Sequence, residues 1–191
     1  YTVIVGRAGD VIPDIIEAVK ELRTGKERKF KMPLNCPVCK EKLVKRDGDV
    51  IIRCINKNCQ ARSREYLYFF VSKKAFNIEG LGPKIIDQLG ENGLVSQPYD
   101  LFDLKEGDFL LMDRFKEKSA SNIISAISRC KKISLDRFIY ALGIRHVGEE
   151  TAIDLAQYFG SIDNIKKADI EDFKNIPDIG EVVSKELHSW F

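Results

Sequence analysis

The 191-residue sequence has no apolar run approaching the roughly 18 residues that a membrane-spanning helix needs, so no membrane partner is expected. It opens neither with methionine nor with the charged-then-apolar layout of a secretory leader. Tyr1-Thr2-Val3-Ile4-Val5 reads instead as the middle of a strand, and a piece cut from a longer protein is expected. Cysteine is sparse outside one cluster, and without an export signal the five cysteines argue for a reducing compartment and against disulfides. Histidine is scarcer still, and neither His146 nor His188 is read as a metal ligand. An apolar content of 44% is ordinary for one or two small soluble domains.

Net charge is nearly absent at +2, but this conceals an asymmetry. Residues 1–75 hold 17 Lys plus Arg against 9 Asp plus Glu, whereas residues 76–191 hold 14 against 20. A basic first part fits a polyanionic partner, most often nucleic acid. A lysine-rich solvated surface explains the same charge equally well, and charge alone does not choose.

Four of the cysteines lie within 24 residues, as Cys36-x-x-Cys39 followed by Cys54 and Cys59. Two cysteine pairs on two turns are the usual ligand set of a structural zinc ion. Pro37 stiffens the first turn, and the two Asn of Ile55-Asn56-Lys57-Asn58 tolerate the left-handed backbone such turns use. Nearby Lys and Arg favour a thiolate cluster. Between the pairs, residues 42–46 and 49–53 read as two short strands with a turn at Asp47-Gly48.

The same stretch contains Lys45-Arg46-Asp47-Gly48, which fits the Lys-x-Asp-Gly pattern of nucleotidyltransferases. A loop of 14 residues between metal ligands cannot enclose a nucleotide, and no companion carboxylate or lysine motif follows. Asp47 and Gly48 are therefore read as the turn and Lys45 as an edge residue. Cys130 shares a helical face with Ile123 and Ile127 and is read as a buried, inert thiol.

From about residue 76 one pattern recurs: an apolar helix end, a tight turn, a second helix. Its third turn position falls at Gly82, Lys116, Gly148 and Gly180, a spacing of 32 to 34. The element resembles the helix-hairpin-helix motif, with an apolar plug at Leu81, Phe115, Val147 or Ile179. In that motif the following glycine lets the backbone approach a phosphate, which the first amides and dipole of the second helix then hold. Such contacts carry no base information.

The copies are unequal. Gly80-Leu81-Gly82 is complete and is followed by Lys84; the second copy has Arg114 and Lys116 in place of the glycines, then Lys118. That copy either contacts phosphate through side chains or serves to pack. The third, with Arg145, His146, Gly148 and Thr151, keeps the second glycine, as does the fourth at Gly180. Asp178 is a poor neighbour for phosphate, which favours a structural role for the fourth. Gly80 to Ile85 lacks the third glycine and the βαβ surroundings of a dinucleotide fingerprint. Apolar stripes over 118–127 and 151–159 read as amphipathic core helices, the latter stopped by Gly160. Near the start, 14–22 is open between a helix capped by Asp14 and a strand, and 23–29 is a basic link.

Taken together, the chain resembles the C-terminal part of a bacterial NAD-dependent DNA ligase. The resemblance runs from Arg7-Ala8-Gly9-Asp10-Val11-Ile12-Pro13, through the four cysteines and Gly80-Leu81-Gly82-Pro83-Lys84-Ile85-Ile86, to Ala141-Leu142-Gly143-Ile144-Arg145-His146-Val147-Gly148-Glu149. It implies a mainly α fold in three parts. Residues 1–31 would be the end of an OB-fold barrel plus linker, with 14–22 as strand, and 32–64 a small β-rich four-cysteine zinc finger. Residues 65–191 would be a helix-hairpin-helix domain with motifs at about 76–90, 108–127, 138–157 and 170–188.

The resemblance also implies a cytoplasmic bacterial protein acting on nicked duplex DNA in replication and repair, as a monomer. NAD and Mg²⁺ would be used by an adenylation domain outside this stretch, and a BRCT domain would follow Phe191. The stretch itself would grip DNA without ligating it. Two rivals remain: a non-catalytic helix-hairpin-helix subunit of a repair or recombination complex, and an enzyme in its own right using Lys45.

Overall fold

Runs of β-branched residues near the start make a two-stranded hairpin. Strand β1 (Val3–Ala8) pairs antiparallel with β2 (Ile12–Ala18), with an irregular register between Ile4 and Val5. The strand reading of 14–22 holds as far as Ala18, after which Lys20–Leu22 forms a single 3-10 turn. Neither face of the hairpin is covered: Ile12, Ile15 and Ile16 remain 69, 63 and 69% exposed. A lone two-stranded hairpin is at best marginal in water. The computed structural model describes residues 2–8, 12–45, 48, 50–110, 112 and 115–191. Gly9, Asp10 and Val11 therefore lie outside the described residues, as do Arg46, Asp47, Asp49 and Arg114.

The second sheet is smaller. Strands β3 (Leu43–Lys45) and β4 (Ile52–Cys54) pair antiparallel, Leu43 opposite Cys54 and Lys45 opposite Ile52. Both are shorter than the sequence pattern, because an isolated bridge between Asn35 and Lys42 and the bend at Val50 take the flanking residues. Gly48 has φ +80°, the conformation for which the turn uses glycine.

After Cys59 the regular structure of the described residues is helical. Nine α-helices run through them: α1 (Gln60–Phe70), α2 (Pro83–Glu91), α3 (Glu106–Leu110), α4 (Glu117–Cys130), α5 (Leu135–Ala141), α6 (Glu149–Phe159), α7 (Ile162–Lys167), α8 (Ile170–Lys174) and α9 (Glu181–Trp190). Among the described residues no helix is long and apolar enough to cross a membrane. The stripes at 118–127 and 151–159 become the buried faces of α4 and α6. Gly160 ends α6 in the left-handed conformation at φ +68°, donating its N–H to the carbonyl of Ala156.

Two apolar cores organise these helices. The first gathers Leu67 and Phe70 of α1, Ile86 and Leu89 of α2, Phe109 of α3, and Ile123 and Ile127 of α4. The second gathers Ile139 of α5, Leu155 of α6, Ile165 of α7, Phe173 of α8 and Leu187 of α9. Each such side chain contributes about 1.5–3 kcal/mol on full burial.

Helix α5 belongs to both cores, sending Ile139 into the second and Ala141 into the first. Polar and ring contacts fasten it to the first half. Tyr66 donates its hydroxyl to the carbonyl of Ala141 at 3.2 Å, and the Phe69 and Tyr140 rings lie 5.1 Å apart. Arg137 donates to the carbonyls of Ala75 at 2.9 Å and Lys73 at 2.6 Å, holding the 71–75 segment against α5.

Candidate metal centre and nucleic-acid interface

The four clustered cysteines converge. Their sulfur atoms all lie within 4.8 Å of one another, with 3.9 Å between Cys36 and Cys59 and 3.5 Å between Cys39 and Cys54. A tetrahedral zinc with Zn–S bonds of about 2.3 Å requires sulfurs about 3.8 Å apart, so the set fits that ion. The first pair sits on a knuckle. The N–H of Lys40 returns to the carbonyl of Cys36 at 2.9 Å, and that of Cys36 to Glu41 at 2.7 Å. Lys40 takes φ +62° to close it, and its ammonium rests on the carbonyl of Pro37 at 2.8 Å.

The second pair is set differently. Asn56 turns the loop by accepting from the N–H of Asn58 through its side chain and from Cys59 through its carbonyl. Cys59, wholly buried, is then the residue that starts α1. A thiolate at this helix start would be favoured by the helix dipole, and a metal held by these sulfurs would be tied to the helix that feeds the first core.

The backbone N–H of Glu41, ahead of the neighbouring thiols, lowers the Cys39 thiol to about 6; desolvation raises that of Cys54 to about 12. Cys54 must therefore surrender its proton to an incoming cation. Cys130 stands apart from this cluster. It is half-buried rather than buried, because α4 ends there and the thiol lies 3.7 Å from the carbonyl of Asn77. Desolvation raises its pKa, which favours the protonated thiol.

The first, third and fourth hairpins share one backbone construction. The residue before the plug is left-handed at Gly80 (φ +89°), His146 (+64°) and Asp178 (+62°); Arg114, in the second copy, lies outside the described residues. The plug follows: Leu81, Val147 and Ile179 are buried, while Phe115 is half-buried with its ring 5.5 Å from that of Phe109. Each plug returns its N–H three residues back, to Ile78, Met112, Ile144 or Ile176, at 3.1 to 3.4 Å. The next residue, Gly82, Lys116, Gly148 or Gly180, is extended and starts the second helix.

None of these four helix starts is capped by the side chain of its first residue. By contrast α7 and α8 are closed by Ser161 and Asp169, whose side chains accept from Asn164 and Asp172. An uncapped helix start leaves first-turn amides without an intrahelical partner, an arrangement that accepts an anion.

The glycines at these starts separate into two kinds. Gly80 needs its lack of a side chain, because a Cβ would lie 2.9 Å from Ile123 as well as forcing a side chain into the left-handed region. Gly82, Gly148 and Gly180 do not: φ is −90°, −87° and −82°, and a Cβ would meet nothing within 4 Å. Lys116 holds the same extended conformation with a full side chain. Neither backbone nor packing asks for glycine at 82, 148 and 180.

Around these starts, Lys84, Lys116, Lys118 and His146 are exposed, and Arg145 and Thr151 are half-exposed. The first helical position of α2 is Pro83, which has no N–H, leaving Gly82 and Lys84 as amide donors there. Acidic residues divide the hairpins: α4 opens with Glu117, α6 with Glu149 and Glu150, and α9 with Glu181 after Asp178, whereas α2 has none in its first turn. Two cations answer this: Lys74 Nζ lies 2.6 Å from Glu149 Oε2, and Lys185 Nζ lies 2.5 Å from Glu181 Oε1 within α9. Charge along the chain did not single out Lys74, because its acidic partner is 75 residues away.

Comparison with known families gives two matches. Residues 35–61 match the NAD-dependent DNA ligase C4 zinc finger domain, and residues 137–191 match the helix-hairpin-helix motif. The first spans all four clustered cysteines, and the second spans the third and fourth hairpins. Their order fits the C-terminal part of an NAD-dependent DNA ligase.

Proposed function

We propose that the chain is the duplex-gripping part of a bacterial cytoplasmic NAD-dependent DNA ligase, an enzyme that seals nicks in replication and repair. The observation that carries this is the trio Gly82, Gly148 and Gly180, glycines required by nothing inside the protein at uncapped helix starts. A phosphate on the sugar-phosphate rail is the ligand such starts accept. Hairpins one and three are its best seats. The second works through Lys116 and Lys118. The fourth, beside Asp178, chiefly packs.

Zinc held by Cys36, Cys39, Cys54 and Cys59 would fix the start of α1, and with it the repeat region. The adenylating lysine, NAD and Mg²⁺ belong to another domain in this reading. Lys45, exposed at the end of β3 and opposite Ile52, serves as an edge residue. The open faces of β1 and β2 suit the rest of an OB-fold barrel. By this account the 191 residues bind nicked duplex without sequence preference and form no covalent AMP.

The test is the salt dependence of nicked-duplex binding. Three to four phosphate contacts give an affinity loss of about 40- to 150-fold between about 50 and 200 mM salt. A flat response would remove the phosphate account.

A further inference from the structure

The third hairpin presents an electrostatic problem. Its helix start is open at Gly148, yet the next two residues are Glu149 and Glu150. A carboxylate in the first turn occupies the same favourable field that a phosphate would use, and the two anions repel. Lys74 addresses one of the two carboxylates. It comes from the segment between α1 and the first hairpin, and its ammonium donates to Glu149 at 2.6 Å.

The position of Lys74 is itself built. Arg137 of α5 holds the carbonyls of Lys73 and Ala75, the residues on either side of it. Lys73, Lys74, Asp136, Arg137, Tyr140 and Glu149 together line an open cleft of about 450 Å³ beside the third hairpin. Lys74 stays charged there: the hydrogen bond to Glu149 and its Coulomb attraction raise the ammonium pKa. Both partners are substantially exposed, so the pair adds little to stability, and its consequence is local.

We propose that Lys74 is a positioning residue for the third hairpin, drawing off and neutralising Glu149 so that the Gly148 turn can receive a phosphate. This rests on the reading of that hairpin as a phosphate seat. It makes the third hairpin dependent on a residue of the first half, through the Arg137 clasp that joins the two cores.

The experiment is a double-mutant cycle on the zinc-loaded chain with nicked duplex, each variant first checked for unchanged circular dichroism and melting. Lys74→Ala weakens binding roughly three- to ten-fold, the reach of a charge at a helix terminus. Glu149→Gln alone binds at least as well as the unsubstituted chain. In the Glu149→Gln background, Lys74→Ala has little further effect. Lys73→Ala, which lacks the pairing, shows the same loss in both backgrounds.

If the Lys74→Ala loss persists undiminished beside Glu149→Gln, Lys74 touches phosphate directly and the proposal is wrong. If Lys74→Ala changes nothing, it is equally wrong. Gly148→Val separates the underlying reading. Weakened binding there keeps the hairpin as a seat whatever Lys74 does, and unchanged binding removes both.

Discussion

Gly80 and Ile123 meet so closely that position 80 admits no side chain: a Cβ there would lie 2.9 Å from Cγ1 of Ile123. The first hairpin is thereby seated on α4, in the first core, and its left-handed turn at φ +89° is held from outside as well as from within. Gly80→Ala adds steric overlap to backbone strain, and a loss of roughly 2–4 kcal/mol is expected. Urea unfolding followed by circular dichroism measures it. A loss below about 0.5 kcal/mol would mean that the seat is looser than described.

The next glycine behaves oppositely. Gly82→Val, Gly148→Val and Gly180→Val place side chains in open space on ordinary backbone, so each is expected to leave stability within about 1 kcal/mol. Duplex affinity separates them. Substitution at 82 and 148 weakens binding about ten-fold, and substitution at 180 does so least, because Asp178 already discourages a phosphate there. Equal small effects at all three, read by fluorescence anisotropy, would contradict the division of labour.

Metal removal is expected to act beyond the finger. In the proposed zinc site Cys59 is both a ligand and the residue that starts α1, so Cys59→Ser would lose one sulfur and loosen the first turn of the helix that carries Leu67 and Phe70. Zinc content by atomic absorption falls, and hydrogen exchange rises in the first turn of α1 as well as in β3 and β4. Cys130→Ser is the control, and it leaves zinc content unchanged. Full zinc retention in Cys59→Ser would overturn the ligand set.

Local signals were legible in the sequence. Cysteine spacing identified a metal cluster because two turns suffice to build one, and the hairpins repeated at a near-constant period. Conformation needing distant partners was not legible. Lys40 is left-handed to close its knuckle, a task more often left to glycine. His146 and Asp178 are left-handed where the first copy has Gly80, so an irregular motif in sequence is a regular one in backbone. The thiol of Cys130 lies against a carbonyl of another segment, where helical periodicity had suggested full burial. Lys74 and Glu149 are joined only after α5 has been clasped by Arg137.

The central claim is that main-chain amides at recurring helix starts receive the DNA backbone, and amide chemical shifts read those groups one by one. Titrating the isotopically labelled, zinc-loaded chain with nicked duplex is expected to move Gly82, Lys84, Gly148 and Glu149 most, with Gly180 moving less. Shifts concentrated on β1, β2 and α7 instead, with the hairpin amides still, would contradict it.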